Sequence, residues 1–345
     1  MSTHCTMHPY FQALVNAPIS KPSKRQYIRN LMTLRKISRN KPLEEIVINP
    51  KPMIQRIRRM YANHQTRKAF ACAIKAVFKY VPDLKCQYND EWARWHSFYA
   101  DSDKTITDRI MAAEPTEREK ENWVRWTDVL AKEHELSAIE FGSNDHLLLA
   151  MYSLIEPLRQ DFGTVAIVYG KHRDDDERAG NFVVIPLTGP ATLVLNNYKT
   201  QKVYGTYRRQ LPETLSDIIR TNLKKYPRSH LFVDSSGKPY VKSNSFTRFS
   251  NRVLERLFHK KFTVSMMRHS YISNINFNES TPSELFEKSK NMAHSIAQQQ
   301  LYRRKVPDDV VDAQPLPAMS HQPHSQVDKS IIQQDGDTRF ITLVV

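Results

Sequence analysis

The sequence predicts a mostly α protein with a small antiparallel sheet, an α+β chain of two folded units and a tail. Three observations carry this. Apolar residues recur at helical spacing within residues 20–82, and helical patterns return at 146–159, 212–225 and 243–257. β-Branched runs cluster in mid-chain, at TVAIVY (164–169), FVVIPL (182–187) and TLVLNNY (192–198). From residue 306 onward Pro, Gln, Asp and Ser dominate, a composition that does not build a core.

The first unit reads as short amphipathic helices with basic outer faces. Ser23 is placed to cap a helix from Lys24, with Tyr27, Ile28, Leu31 and Leu34 on one face. A second helix starts near Pro50 or Pro52, since proline suits a first turn, and its stripe is Met53, Ile54, Ile57 and Met60. A third runs from about Thr66 to Tyr80 and buries Phe70, Ala73, Ile74, Val77 and Phe78, with Cys72 on the same apolar face; Val81-Pro82 ends it. Trp92, Trp95, Phe98 and Tyr99 suggest a further helix. The charged stretch from Asp101 to Asn122, with its run EPTEREKEN, reads as a partly helical connector. The expected organisation is a helical DNA-binding unit over 1–110, a linker over 111–122, a second domain over 123–305 and a tail over 306–345. The tail is expected to be largely disordered, with a strand-like docking segment at Arg339–Val345.

Lys and Arg total 51 against 36 acids, a net charge of +15 in 345 residues. Such an excess favours a polyanionic partner, because each neutralised phosphate releases counterions. The ordinary alternative is a basic solvated surface, but the density of basic residues between Arg56 and Lys68 tilts toward a DNA-gripping face. Lys24, Arg25, Arg29, Arg56, Arg59 and Arg67 are the candidate DNA contacts. No apolar run approaches transmembrane length, and Met1–Tyr10 lacks a signal-peptide core, so no membrane partner is expected. The three cysteines, Cys5, Cys72 and Cys86, have neither disulfide-framework nor zinc-ligand spacing, which fits a reducing intracellular compartment, cytoplasm or nucleus. Asp174–Asp176 reads as an acidic loop rather than a metal site, because partner ligands at fitting spacing are missing.

Four segments of the second domain carry residue types that suit metal-free phosphodiester transfer. They are EPLRQDF with Arg159, NNYKTQKVYG with Lys199, VSMMRHSYIS with Arg268 and His269, and NMAHSIAQQQLYRRK with His294 and Tyr302. Two guanidiniums can stabilise charge growing on the non-bridging oxygens. A tyrosine can form a covalent phospho-enzyme link, and a lysine can protonate the leaving oxygen. Singly each residue has an ordinary reading: Arg159 as a helix-end charge, Lys199 as a solvated hairpin lysine with Lys202 competing for its role, His294 as a buried structural histidine, His269 as structural, and Tyr302 as core filler with Tyr271 a rival tyrosine close to Arg268.

The order of these segments resembles the catalytic domain of tyrosine recombinases, the phage-integrase-like family. YKTQKVYG looks like the hairpin that carries the family's lysine, MRHSYIS its second arginine box and MAHSIAQQQLYRR its terminal His…Tyr box. The resemblance covers about 123–305, and the helical first unit looks like the family's core-binding domain. The wording AHSIAQQQLYRR is closest to versions from large DNA viruses, virophages and related mobile elements. The resemblance implies that Arg159 and Arg268 clamp the scissile phosphate, Lys199 protonates the leaving 5′ oxygen, His294 hydrogen-bonds the phosphate or the nucleophile, and Tyr302 forms a 3′-phosphotyrosine. It implies double-stranded DNA as partner, a tetramer on paired sites, and neither cofactor nor metal. Two departures stand out. Ser265 occupies the place where the family pattern H-x-x-R has histidine, and His294 precedes Tyr302 by eight residues, one fewer than is common. A type IB topoisomerase and a catalytically silent DNA-binding relative are the competing readings.

Overall fold

A computed structural model describes residues 7–170 and 179–305. The acidic loop at Asp174–Asp176 and the tail therefore lie outside the described residues. The first part is helical: α1 (Pro9–Asn16), α2 (Lys21–Ile37), α3 (Leu43–Ile48), α4 (Pro50–Met60), α5 (His64–Tyr80), α6 (Leu84–Gln87) and α7 (Asn89–Met111). Their inward faces share one core that includes Leu14, Leu31, Leu34, Val47, Ile57, Ile74, Val77 and Trp95. The Trp95 indole N–H is satisfied there by the Val47 carbonyl at 2.9 Å.

Several boundaries differ from the sequence expectation, each for a local reason. Ser20, not Ser23, caps α2, its side chain accepting from the Ser23 backbone N–H. Pro22 then falls within the first turn, where its missing N–H costs nothing. The short run LEEIVI forms α3 after Pro42, with Glu44 and Glu45 in its first turn. Asp101 does not begin the connector, because α7 continues to Met111. Trp95, Phe98, Ser102 and Ile106 are buried along one face of α7, so the charges of its second half sit outside without ending the helix.

Beyond a short connecting helix, α8 (Glu117–Glu121), the chain builds a second core. Its helices are α9 (Trp126–Ile139), α10 (Asn144–Ser153), α11 (Gln201–Tyr204), α12 (Glu213–Lys225), α13 (Ser243–Phe258), α14 (Val264–Ser273), α15 (Pro282–Asn291) and α16 (Ile296–Tyr302). Four strands, β1 (Ala166–Tyr169), β2 (Asn181–Ile185), β3 (Thr192–Leu195) and β4 (Tyr207–Gln210), make one sheet in sequence order. The fold is thus mostly α with a small sheet, as predicted. Antiparallel pairing holds for β2–β3 and β3–β4, with Val183 opposite Leu193 and Leu193 opposite Arg209. The first pair corrects the expectation: β1 runs parallel to β2, with Ala166 opposite Phe182. A two-residue turn would force an antiparallel return, whereas the long polar stretch after Gly170 leaves enough chain to come back in the same direction.

Helix α10 stops at Ser153, short of the expected 159, and the residues up to Pro157 leave helical geometry. A residue before proline is pushed out of the α region, which frees this segment to run extended toward Arg159. Nearby, Gly163 lies so close to Phe246 that an added Cβ would stand 2.8 Å from the Phe246 Cβ.

Candidate active site

Arg268 sits in the middle of α14 and is 1% exposed. Placing a guanidinium inside a core is costly unless its donors find acceptors. One donor reaches the Pro157 carbonyl, and Nη2 lies 3.1 Å from His294 Nδ1. Arg159 follows the extended segment after α10, where the Tyr152 hydroxyl holds its carbonyl at 3.0 Å. Arg159 Nη1 points at the Ala293 carbonyl, 3.5 Å away.

His294 lies ahead of α16, which Ser295 caps through the Gln298 N–H. Ala293 beside it has a positive φ of 52°, so the chain turns sharply there. His294 therefore precedes the helix that carries Tyr302 instead of sharing it. The two rings lie 5.8 Å apart. Burial, followed by the charges of Arg268 and Arg159, lowers the His294 pKa to about 3, so the ring is neutral near pH 7. A guanidinium only donates, so Nδ1 must accept, and the ring proton resides on Nε2. That Nε2 is buried without a partner among the described residues, as is Arg268 Nε.

Tyr302 is the last residue of α16 and is half-buried. The Arg268 guanidinium carbon is 4.9 Å from its ring centre. Burial raises the phenol's pKa, but the charges of Arg268 and Arg159, with their hydrogen bonding to its oxygen, outweigh this and leave it lowered. His269 Nδ1 donates to the Tyr302 carbonyl at 2.6 Å. Tyr271, the rival tyrosine, packs edge-on against Trp126 with ring centres 5.0 Å apart, and burial raises its pKa.

Lys199 and Lys202 are both exposed on the β3–β4 connection, where α11 interrupts the expected simple hairpin. The neighbouring Thr200 hydroxyl donates to the Ala293 carbonyl at 2.9 Å, which ties this connection to the turn bearing His294. The Tyr207 hydroxyl adds a second tie, to the Asn291 carbonyl at 3.1 Å. Ser265 is not brought to Tyr302 by any contact: its exposed side chain lines a cavity of about 340 Å³ with Glu119, Gln160, Thr247 and His269. Among the described residues its hydroxyl makes no hydrogen bond.

The basic candidates of the first unit divide. Arg56 donates to the Ile37 carbonyl at 2.8 Å, and Arg67 to the carbonyls of Tyr61 and Arg58 at 2.6 and 3.1 Å. Both therefore satisfy exposed helix ends. Lys24 likewise reaches the Val15 carbonyl at 2.5 Å. Arg25, Arg29 and Arg59 are exposed and carry no side-chain partner among the described residues.

Sequence reasoning did not single out three groups around the site. Asp161 is pushed by burial up to about 6, against the opposing pull of Arg159 and Arg268. Glu119 and Arg304 meet at 3.6 Å beside the end of α16. The spacing of Thr116 and Glu119 marks a capping box, which the structure has, but a box does not disclose what else its carboxylate touches. Among the described residues no helix is long and apolar enough to cross a membrane, and no group of acidic, His and Cys side chains is set to hold a metal ion.

No family model matches the chain. No curated protein matches it either. Among solved structures, the chain is similar to a XerA recombinase at 12% identity and TM-score 0.37, over 88% of this chain and 94% of that one. It is also similar to a lambda integrase tetramer bound to a Holliday junction, at 11% identity and TM-score 0.46, over 90% of this chain and 78% of that one. A lambda integrase(75-356) dimer bound to a COC′ core site gives 13% identity and TM-score 0.45, over 90% of this chain and 97% of that one.

Proposed function

We propose that the protein cleaves and rejoins DNA strands through a 3′-phosphotyrosine at Tyr302, as a tyrosine recombinase or integrase of a viral or mobile element. One observation carries the reading. The Tyr302 hydroxyl faces two guanidiniums beside two buried donors, Arg268 Nε and His294 Nε2, that have no acceptor among the described residues. A buried donor left unpaired costs about 1–3 kcal/mol, so this cluster is organised for an anionic oxygen that arrives with the substrate. A phosphodiester between Tyr302 and the arginines supplies two such oxygens.

In the reaction Tyr302 Oη attacks phosphorus, its proton leaves to solvent, and the bond from phosphorus to the 5′ oxygen breaks. The leaving oxygen takes a proton from Lys199, and the reverse attack by a 5′ hydroxyl rejoins a strand. The lowered Tyr302 pKa enlarges the phenolate fraction, which eases the loss of a histidine at position 265. Arg159, Arg268 and His294 hold the phosphate throughout. The substrate is double-stranded DNA gripped by the basic first unit over 1–110, joined by the linker 111–122 to the catalytic domain 123–305. Exchange takes place in a tetramer on paired sites inside a cell, in cytoplasm or host nucleus.

The test is covalent trapping on nicked DNA from the protein's own element, with Tyr302→Phe beside wild type on denaturing gels. An adduct that vanishes in Tyr302→Phe supports the reading. An adduct that persists in the variant moves the nucleophile elsewhere, and no adduct on DNA the protein binds favours a silent relative. Supercoil relaxation by a monomer without paired sites would instead favour a type IB topoisomerase.

A further inference from the structure

The segment around Tyr302 is fastened from outside its own domain. Glu119 lies on α8, the short connecting helix, and its two carboxylate oxygens do different things. Oε2 accepts the Thr116 backbone N–H at 2.7 Å and so closes the first turn of α8. Oε1 stands 3.6 Å from both His269 Nε2 and Arg304 Nε. Those two side chains grip the nucleophile's backbone on either side. His269 Nδ1 donates to the Tyr302 carbonyl at 2.6 Å, and its ring lies 4.9 Å from the Tyr302 ring. Arg304 Nη1 caps the end of α16 at the Leu301 carbonyl, 3.0 Å away, while its backbone N–H donates to Ser273 Oγ at 2.8 Å. One residue further, the Lys305 N–H donates to the Ala113 carbonyl at 2.7 Å, just beyond α7.

We infer that Glu119 is a positioning residue: it links the connector between the two cores to the placement of the Tyr302 hydroxyl, acting through Arg304. The chemistry follows from the geometry. The carboxylate oxygen facing the Arg304 guanidinium fixes that side chain, and Arg304 holds the last turn of α16 next to the His269–Tyr302 hydrogen bond. Tyr302 ends that helix, so a loose last turn moves the hydroxyl directly. A movement of α8 relative to α14, such as DNA bound by the first unit would impose, is thereby transmitted to the nucleophile. In-line attack is sensitive to displacements of an ångström, which is the range this linkage controls.

The inference rests on Tyr302 being the nucleophile, and the experiment separates the two claims. Glu119→Gln keeps the size of the side chain and an acceptor for Thr116 but removes the charge facing Arg304. Glu117→Gln makes the same charge change on the same helix, at an exposed residue whose ion-pair partner among the described residues is Lys120. Four quantities are measured on full-length protein: DNA affinity, melting temperature, single-turnover adduct formation, and amide exchange over Gln299–Arg304. The expected result is unchanged affinity, adduct formation slowed about tenfold to a hundredfold, and faster amide exchange in Glu119→Gln only. Wild-type rate and exchange in Glu119→Gln overturn the inference, as does a parallel loss of DNA affinity and melting temperature, which marks a merely structural role. If Glu119→Gln does not fold, Arg304→Gln is read in its place against the same outcomes. If wild type forms no adduct, the nucleophile reading fails by itself. The exchange measurement then decides the linkage: selective loss of protection in Glu119→Gln supports it, and unchanged protection overturns it.

Discussion

Arg268 Nη2 lies 3.1 Å from His294 Nδ1, and this one contact decides which ring nitrogen of His294 carries the proton. Because Nδ1 is the acceptor, Nε2–H is a fixed donor. Removing one preorganised donor to a developing oxyanion costs roughly 10²–10³ in rate, so His294→Ala should slow adduct formation by about that much. His294→Gln, whose amide can present an N–H in nearly the same place, should recover most of it. The comparison is made under single-turnover conditions. Equal rates for Ala, Gln and wild type would remove His294 from phosphate binding.

Stability should decline on mild acidification. Burial first of all lowers His294 to about 3 and His269 to about 4, against an ordinary value of 6.5. Below pH 6.5 the unfolded chain takes up these two protons while the folded chain does not, so stability falls as pH falls. Asp161 acts in the opposite sense, since burial raises it from 3.8 to about 6 and the folded chain holds its proton in that interval. Between pH 6 and 4 two protons on the unfolded side oppose one on the folded side. The net is up to about 1.4 kcal/mol lost per pH unit. Denaturant titrations at pH 7, 6 and 5 check this, and His294→Gln should flatten the profile. A flat wild-type profile would contradict the burial of neutral imidazoles.

The five arginine candidates of the first unit should separate by experiment. Arg25, Arg29 and Arg59 have free exposed side chains among the described residues, so alanine there should leave the melting temperature alone. Each that touches a phosphate should reduce the salt dependence of DNA binding by about one counterion. Arg56→Ala and Arg67→Ala should also destabilise, each by about 1 kcal/mol, because they release carbonyls at helix ends. Identical behaviour of all five would mean that the carbonyl contacts carry no weight.

Lys199 and Lys202 can be distinguished as proton donors by changing the leaving atom. Alanine at the true donor should slow cleavage by about 10²–10⁴ on ordinary DNA. The defect should largely disappear on DNA whose bridging 5′ oxygen is replaced by sulfur, a leaving group that needs no proton. Lys199→Ala is expected to show this rescue and Lys202→Ala is not. Rescue of the second variant would reassign the role.

Gly163→Ala should damage the catalytic domain from within. The new methyl meets Phe246 at 2.8 Å, inside the core next to the Arg159 segment. Overpacking of this kind costs about 1–3 kcal/mol, read as a lower melting temperature, with adduct formation reduced as well because Asp161 and Arg159 sit on the same stretch of chain. An unchanged melting temperature would show that Phe246 yields freely.

The helices of the first unit were readable because their apolar stripes have a strong period, as in Phe70, Ala73, Ile74 and Val77. Helix α7 was half-read, since its charged second half hides two buried positions, Ser102 and Ile106, that continue the face begun by Trp95 and Phe98. The parallel β1–β2 pair was not readable, because strand direction depends on where a long loop returns the chain and not on the strand residues. At the site, Arg268, His294 and Tyr302 were legible as residue types, and the structure brings these three together with Arg159. What no local pattern discloses is contact between distant segments. Glu119 and His269 are separated by most of the catalytic domain in sequence, and the capping box accounts for only one of the carboxylate's two oxygens.

A single backbone oxygen, that of Ala293, receives both the Thr200 hydroxyl and an Arg159 N–H. The β3–β4 connection with its lysines, the arginine after α10 and the turn that presents His294 therefore share one origin of coordinates. Their mutual placement is one degree of freedom where three separate loops would suggest several. Anyone recasting a single loop, to alter DNA preference or to graft the site elsewhere, inherits a boundary condition: the carbonyl at position 293 has to stay where it is, or all three partners drift together.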